Sequence, residues 1–389
     1  MTVVGLLTLL AACSAVLGSP VPSEGFDNGT IAKVQANLAT IATHSWEIGT
    51  ELETLTELEW PQLSVFHGTV PPPAQLPTPD TAADVISKAT ASSIVHNITN
   101  FAGPAPLIDG DGAVGDPASL GVAVLLANWT RTDLNDTRLA NAAEDQLAYL
   151  LNVAPRTPDG AISHRISEVQ LWADFVYMAP PFIAYYGAIA GGEYGASLFA
   201  AAYEQCKLYR QYLSDGSGLW RHIVLGSWQD NNHWGTGNGW AAAGMLRVFE
   251  TIARSGHAWK FAAELANLAI WIDEILTHSW AFQHENGTLY NWIDQDAPAT
   301  FTDSSSTALL GAVSFRLATI TANSVHVPSA NRALEVIKQS VDEDGWLLNT
   351  VDPETFNTTS LPGQYSPEGQ AFVLLLHSAW RDFEASRKI

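Results

Sequence analysis

Two aspartates are the residues of this chain best suited to move a proton. Asp174 stands in the stretch LWADFVYMAPPF (171–182), among Trp172, Phe175, Tyr177, Met178, Pro181 and Phe182. An ionisable acid in such company is costly unless it is paired or hydrogen-bonded. Apolar surroundings also raise a carboxyl pKa, which suits a proton donor near neutral pH. The competing reading is a structural carboxylate that caps a helix or pairs with an arginine. A helix over 169–182 would put Tyr177 and Met178 on the face of Asp174, with Pro180 and Pro181 kinking or restarting it. Asp116, in AVGDPASLG, is either a second acid or an N-cap bonded to the Ser119 amide ahead of Pro117.

Histidines, arginines and tryptophans accumulate further on. GAISHR supplies His164 and Arg165, GLWRHIV supplies Arg221 and His222, and NNHWGTGNGW supplies His233, Trp234, Asn238 and Trp240. Fourteen tryptophans are many for this length, and several fall in loops at helix starts. Aromatic faces beside amide and hydroxyl donors are what sugar rings stack on, although most of the fourteen are expected to wedge helices apart in the core.

Other chemistries lack support. GTGNGW (235–240) has neither GxGxxG spacing nor a clear preceding strand, so it is not read as a dinucleotide loop. DGDGAVGD (109–116) resembles a calcium loop, but Leu120 stands at the twelfth position where an EF-hand needs Glu, and a turn is the better reading. There is no HExxH, GxSxG or P-loop pattern.

The elements that must position these residues are mostly helices. Apolar residues recur at three- and four-residue spacing over 30–55, 82–98, 117–129, 138–153, 194–213, 239–254, 257–280, 304–320, 329–341 and 368–386. With 169–182 this makes about eleven helices, alternating with short Trp-bearing extended pieces, a pattern of paired hairpins in one all-α domain from residue 20 to 389. At 389 residues and 47% hydrophobic the chain can bury a large core. A formal net charge of -22 argues against nucleic acid and anionic membranes as partners, and any acidic substrate must be held by a few local donors.

Residues 1–19 read as a signal peptide, and sequons at Asn28, Asn97, Asn128, Asn135, Asn286 and Asn357 agree with a secreted, extracellular protein. Cys13 leaves with the leader, so Cys206 is the one mature cysteine and reads as an inert core residue.

The motifs PRTPDGAISHR, LWADFVYMAPPFIAYYG, GLWRH, WGTGNGWAAAGMLRVFE and SSSTALLGAVSFRLA occur in an order that resembles glycoside hydrolase family 105, from about Asp116 to Leu317. That family contains unsaturated rhamnogalacturonyl hydrolases and related enzymes acting on unsaturated glucuronyl ends. The resemblance implies an (α/α)6 barrel of six helical hairpins. It implies Asp174 as catalytic general acid/base, Asp116 as the second acid, and substrate contacts from Arg165, His222, Trp234, Asn238 and Trp240. It also implies the reaction: the acid protonates C4 of a terminal 4,5-unsaturated uronic acid, water adds at C5, and the hemiketal rearranges to expel the rest of the chain. No metal or organic cofactor is expected, and the partner is an oligosaccharide with an unsaturated uronyl end, bound by a monomer. One departure bears on specificity: the family commonly has WGRGNGW, and this chain carries Thr236 in place of that arginine. Alternatives are another (α/α)6-barrel carbohydrate enzyme, an inverting glycosidase or lyase, or a non-catalytic sugar-binding relative.

Overall fold

The structure, a computed structural model, describes residues 24–73, 103–131 and 133–388. The leader expected over 1–19, the helix expected over 82–98 and the sequon at Asn97 lie outside them.

The apolar pattern over 30–55 resolves into two helices, α1 (Asn28–Ile41) and α2 (Ser45–Glu59). Glu47 makes the break: its carboxylate accepts from the backbone N–H of Thr43 at 2.7 Å and of His44 at 2.9 Å, satisfying amides that a continuous helix would have used. A 3-10 turn over Asp116–Leu120 leads into α3 (Gly121–Thr130), followed by α4 (Arg138–Ala148). The expected helix over 169–182 is instead β1 (Gln170–Trp172), the single turn α5 (Phe175–Met178) and α6 (Pro180–Ala190), with the proline pair opening α6. Then come α7 (Gly192–Leu213), β2 (Ile223–Leu225), α8 (Gly235–Ala253), α9 (Ala262–Trp280), β3 (Leu289–Tyr290), β4 (Thr302–Asp303), α10 (Ser304–Thr321), α11 (Val327–Ser340) and α12 (Pro367–Ser386).

Helices α2, α3, α6, α8, α10 and α12 form an inner ring in which each packs on the next and α12 closes on α2. Nearly every residue of α8 and α10 is buried, whereas α4 and α11 bury a single apolar face, as a core helix and a covering helix should. From α3 to α12, among the described residues, outer helices alternate with inner ones along the chain, in keeping with the (α/α)6 architecture expected from the sequence.

The inner helices gather their N-termini at one end. Ser119 Oγ on the 3-10 turn lies 3.3 Å from the Ser45 carbonyl that opens α2. A Cβ added at Gly115 would lie 2.8 Å from Phe175, one at Gly235 2.7 Å from Ser306, and one at Gly369 3.1 Å from Ser305. The 3-10 turn ahead of α3 and the starts of α2, α5, α8, α10 and α12 therefore lie at one end of the barrel. Among the described residues no helix is long and apolar enough to cross a membrane.

Candidate active site

Asp116 and Asp174 are brought together by that convergence. Each lies beside one member of the Gly115–Phe175 close contact, so the 3-10 turn and the start of α5 place them as near neighbours. Asp116 is the first residue of its turn and its side chain caps nothing; the Ser119 hydroxyl donates instead to the Asp116 carbonyl at 2.6 Å, so the N-cap reading does not hold. Asp174 precedes α5, and its carbonyl accepts from Tyr177 N at 2.9 Å, leaving the carboxylate clear of the helix.

Each acid has a histidine. His164 Nε2 stands 3.7 Å from Asp116 Oδ1, and His222 Nε2 stands 3.4 Å from Asp174 Oδ2. The second contact is an ion pair without the alignment of a hydrogen bond, so both of its atoms remain without a hydrogen-bonding partner. Local sequence explains the placement. β1 and β2 pair antiparallel with Trp172 opposite Ile223, and Ala173 N donates to the His222 carbonyl at 2.9 Å, which sets His222 alongside Asp174. Trp172 packs between the histidines, stacked on His164 at 4.9 Å and edge-on to His222 at 5.5 Å.

The two acids are shifted in opposite directions. Burial, and then the charge of Asp174, push the Asp116 carboxyl well above the usual range against the opposing pull of Arg165. Burial acts on Asp174 too, but His222 outweighs it and holds Asp174 below the ordinary value. The raised pKa expected for Asp174 is therefore found on Asp116. Burial also works against the charge of His222, yet Asp174 and Asp230 together raise its pKa. His164, mainly through burial, is pushed down to about 4 and is neutral.

Asp230 was not singled out from the sequence. Its Oδ2 lies 3.0 Å from His222 Nδ1, and its Oδ1 accepts from Asn232 Nδ2 at 2.7 Å, giving the line Asp230–His222–Asp174. The bridge between Ile223 and Asp230, with His222 N donating to the Asn232 carbonyl at 3.0 Å, closes the loop that creates it.

The remaining expected contacts divide into two groups. Arg165 is half-buried, sits over the Trp172 ring at 5.9 Å and makes no ion pair among the described residues, so its guanidinium is free for an anionic ligand. Trp234 and Asn238 are scaffold instead. The Trp234 indole donates to Asn291 Oδ1 at 2.9 Å and its ring packs 4.4 Å from His222, while Asn238 bonds both the N–H and the carbonyl of Trp220 and the Trp234 carbonyl. Trp240 is 0% exposed between Tyr177 and Phe372, because α8 turns it into the core and away from any sugar. Thr236 is buried with an unpartnered hydroxyl. The aromatic surface at the rim comes from residues not foreseen: Trp228, 45% exposed, and half-buried Phe356 lie parallel with centroids 6.3 Å apart, both edge-on to Trp172.

His164 Nδ1, Thr236 Oγ1 and Glu368 Oε2 are buried polar atoms with no hydrogen-bonding partner, all on residues near the starts of inner helices or on the loops feeding them. Buried polar groups are ordinarily satisfied, and these atoms are available to a ligand. Among the described residues no group of three or more His, Cys, Asp or Glu is arranged to hold a metal ion.

The model of Glycosyl Hydrolase Family 88 matches residues 51–364. The chain belongs to glycosyl hydrolase family 88. It is a glycoside hydrolase, and no curated protein matches it significantly. Solved structures similar to this family 88 protein include a possible member of family GH105 from Salmonella enterica, with TM-score 0.72 and 18% identity over 95% of this chain and 100% of that one. A family 105 glycoside hydrolase from C. acetobutylicum aligns with TM-score 0.64 and 16% identity over 91% and 99%. An unsaturated glucuronyl hydrolase from Bacillus sp. GL1, described as responsible for glycosaminoglycan degradation, aligns with TM-score 0.57 and 12% identity over 89% and 93%. At these identities the likeness is one of fold, and it agrees with the six-hairpin barrel.

Proposed function

We propose that this glycoside hydrolase is secreted and removes 4,5-unsaturated uronyl residues from the ends of oligosaccharides released by a polysaccharide lyase, pectin fragments among them. The observation that carries this reading is the placement of two buried carboxyls as near neighbours, Asp116 with His164 at 3.7 Å and Asp174 with His222 at 3.4 Å, in surroundings that push Asp116 up and hold Asp174 down. Hydration of an enol ether needs that combination: a proton given to one carbon and a proton taken from the water that attacks the other.

Asp116 carries the proton and delivers it to C4. Positive charge then develops at C5 and the ring oxygen, where the Asp174 carboxylate stabilises it and takes a proton from the water adding to C5. The C5 hemiketal opens to a ketone, the freed ring oxygen remains as a hydroxyl on C1, and that hemiacetal collapses to expel the rest of the chain. The cycle leaves Asp116 ionised and Asp174 protonated, and exchange with solvent restores both. This reverses the assignment expected from the sequence, in which Asp174 gives the proton. Arg165, free of protein carboxylates and flanked by Trp172, is the donor available to the uronate carboxylate. Trp228 and Phe356 supply the aromatic face for the next sugar.

The test is incubation with unsaturated disaccharides prepared by lyase digestion of rhamnogalacturonan and of glucuronate-containing polymers, following loss of the ultraviolet absorbance of the conjugated enol, with Asp174→Asn in parallel. Loss with the wild-type protein alone supports the reading, and the preferred disaccharide identifies the aglycone. No loss from a folded wild-type protein, with cleavage of saturated analogues instead, points to an ordinary glycosidase on the same scaffold.

A further inference from the structure

A third acid belongs to the same end of the barrel. Glu368 lies in the first turn of α12 and is 4% exposed. Its Oε1 accepts from the Trp46 indole at 2.8 Å, and its Oε2 is enclosed without any partner. The elements around it lead directly to the reacting carboxyls. Trp46 is in the first turn of α2, where the Ser45 carbonyl meets Ser119 Oγ, which in turn donates to the Asp116 carbonyl. On the other side, Gly369 brings α12 against Ser305 at the start of α10.

We propose that Glu368 is a substrate-contacting carboxyl of this site: Trp46 fixes one oxygen, and the free Oε2 is held for a hydroxyl group of the bound unsaturated sugar. The inference rests on the hydrolase reading above. A packing role is fully served by the Trp46 bond and leaves the second oxygen unexplained, and an orphaned buried oxygen costs stability unless something else compensates. Burial, and then the charges of Asp174 and Glu47, push the Glu368 carboxyl well up against the opposing bond from Trp46. A neutral acid donates from one oxygen and accepts on the other, so it can serve a sugar hydroxyl without adding charge beside Asp174.

Two substitutions separate this role from a structural one. Glu368→Gln keeps an acceptor for Trp46 and places N–H donors where the acid O–H would be. Glu368→Leu removes both. Thermal unfolding establishes that each variant is folded, and kcat and KM are measured on the unsaturated disaccharide that the wild-type protein prefers. The expected result is a roughly tenfold or greater loss of kcat/KM in the Leu variant, with the Gln variant within about threefold of wild type. Wild-type kcat/KM in a folded Leu variant overturns the proposal, as does a Gln variant that falls as far as Leu. A wild-type protein inactive on every unsaturated disaccharide overturns the hydrolase reading itself and this proposal with it, whereas an active wild type with unaffected Glu368 variants overturns only this one.

Discussion

Asp174 Oδ2 lies 3.4 Å from His222 Nε2, and this contact holds the Asp174 carboxyl below its ordinary range while Asp116 beside it is pushed up. Without a cation beside it, a buried aspartate next to a second carboxyl would hold its proton. With His222 there, itself tied to Asp230 at 3.0 Å, Asp174 is ionised and the raised pKa falls to Asp116.

Replacing either acid by its amide removes a proton-transfer step. Asp174→Asn and Asp116→Asn are each expected to lower kcat by about 10²- to 10⁴-fold with fold retained. Steady-state kinetics on an unsaturated disaccharide, with circular dichroism as the control, checks both.

The pH dependence follows from the signs of the two shifts. Asp174 must be ionised and its pKa is depressed, so rate falls only as pH drops below the ordinary aspartate value. Asp116 must be protonated and its pKa is raised, so rate falls as pH climbs through that elevated value. A profile of kcat/KM that is bell-shaped, with its basic limb absent from the residual activity of Asp116→Asn, is expected.

Asp230→Asn tests the line behind Asp174. The amide still accepts from His222 Nδ1 but contributes no charge, so the imidazolium is less favoured and Asp174 protonates at higher pH. The acidic limb of the pH profile should move towards neutrality while the basic limb stays in place. An unmoved acidic limb would show that Asp230 only braces the loop.

Arg165→Met should raise KM about tenfold for an unsaturated uronide and leave the protein's stability nearly unchanged, because the guanidinium makes no ion pair among the described residues. Titration with the same disaccharide across a range of salt concentrations provides the check. Affinity of the wild type should weaken as salt rises, and that of the variant should not.

Away from the site, stability depends on a buried ionic cluster. Glu57 accepts from Arg247 Nη2 at 2.5 Å on one oxygen and from Arg316 Nη2 at 2.8 Å on the other, and Arg316 also meets Asp382 at 2.5 Å. Glu57→Gln removes one buried counter-charge, while Arg247 keeps Glu53 at 3.2 Å and Arg316 keeps Asp382, and should cost about 1–3 kcal/mol. Urea denaturation monitored by tryptophan fluorescence measures it.

Much of this protein was legible in the chain itself. Helical periodicity gave the hairpins, and the two aspartates singled out, Asp174 in its apolar stretch and Asp116 ahead of Pro117, lie near each other in the structure. Where reading failed, short-range pattern met long-range pairing. The run over 169–182 has helical spacing, yet pairing with residues 223–225 draws its first part into β1. Trp240 and Trp228 look alike as letters, but α8 buries one and a loop exposes the other. Glu368 and Asp230 carry no local signal because their partners, Trp46 and His222, come from other segments.

The amino-acid order thus determined which chemical groups the chain carries and the helices that transport them. Tertiary structure alone decided which group holds a proton. Protonation depends on burial and on charges within a few ångströms, and those neighbours are assembled from the starts of separate helices and the loops between them.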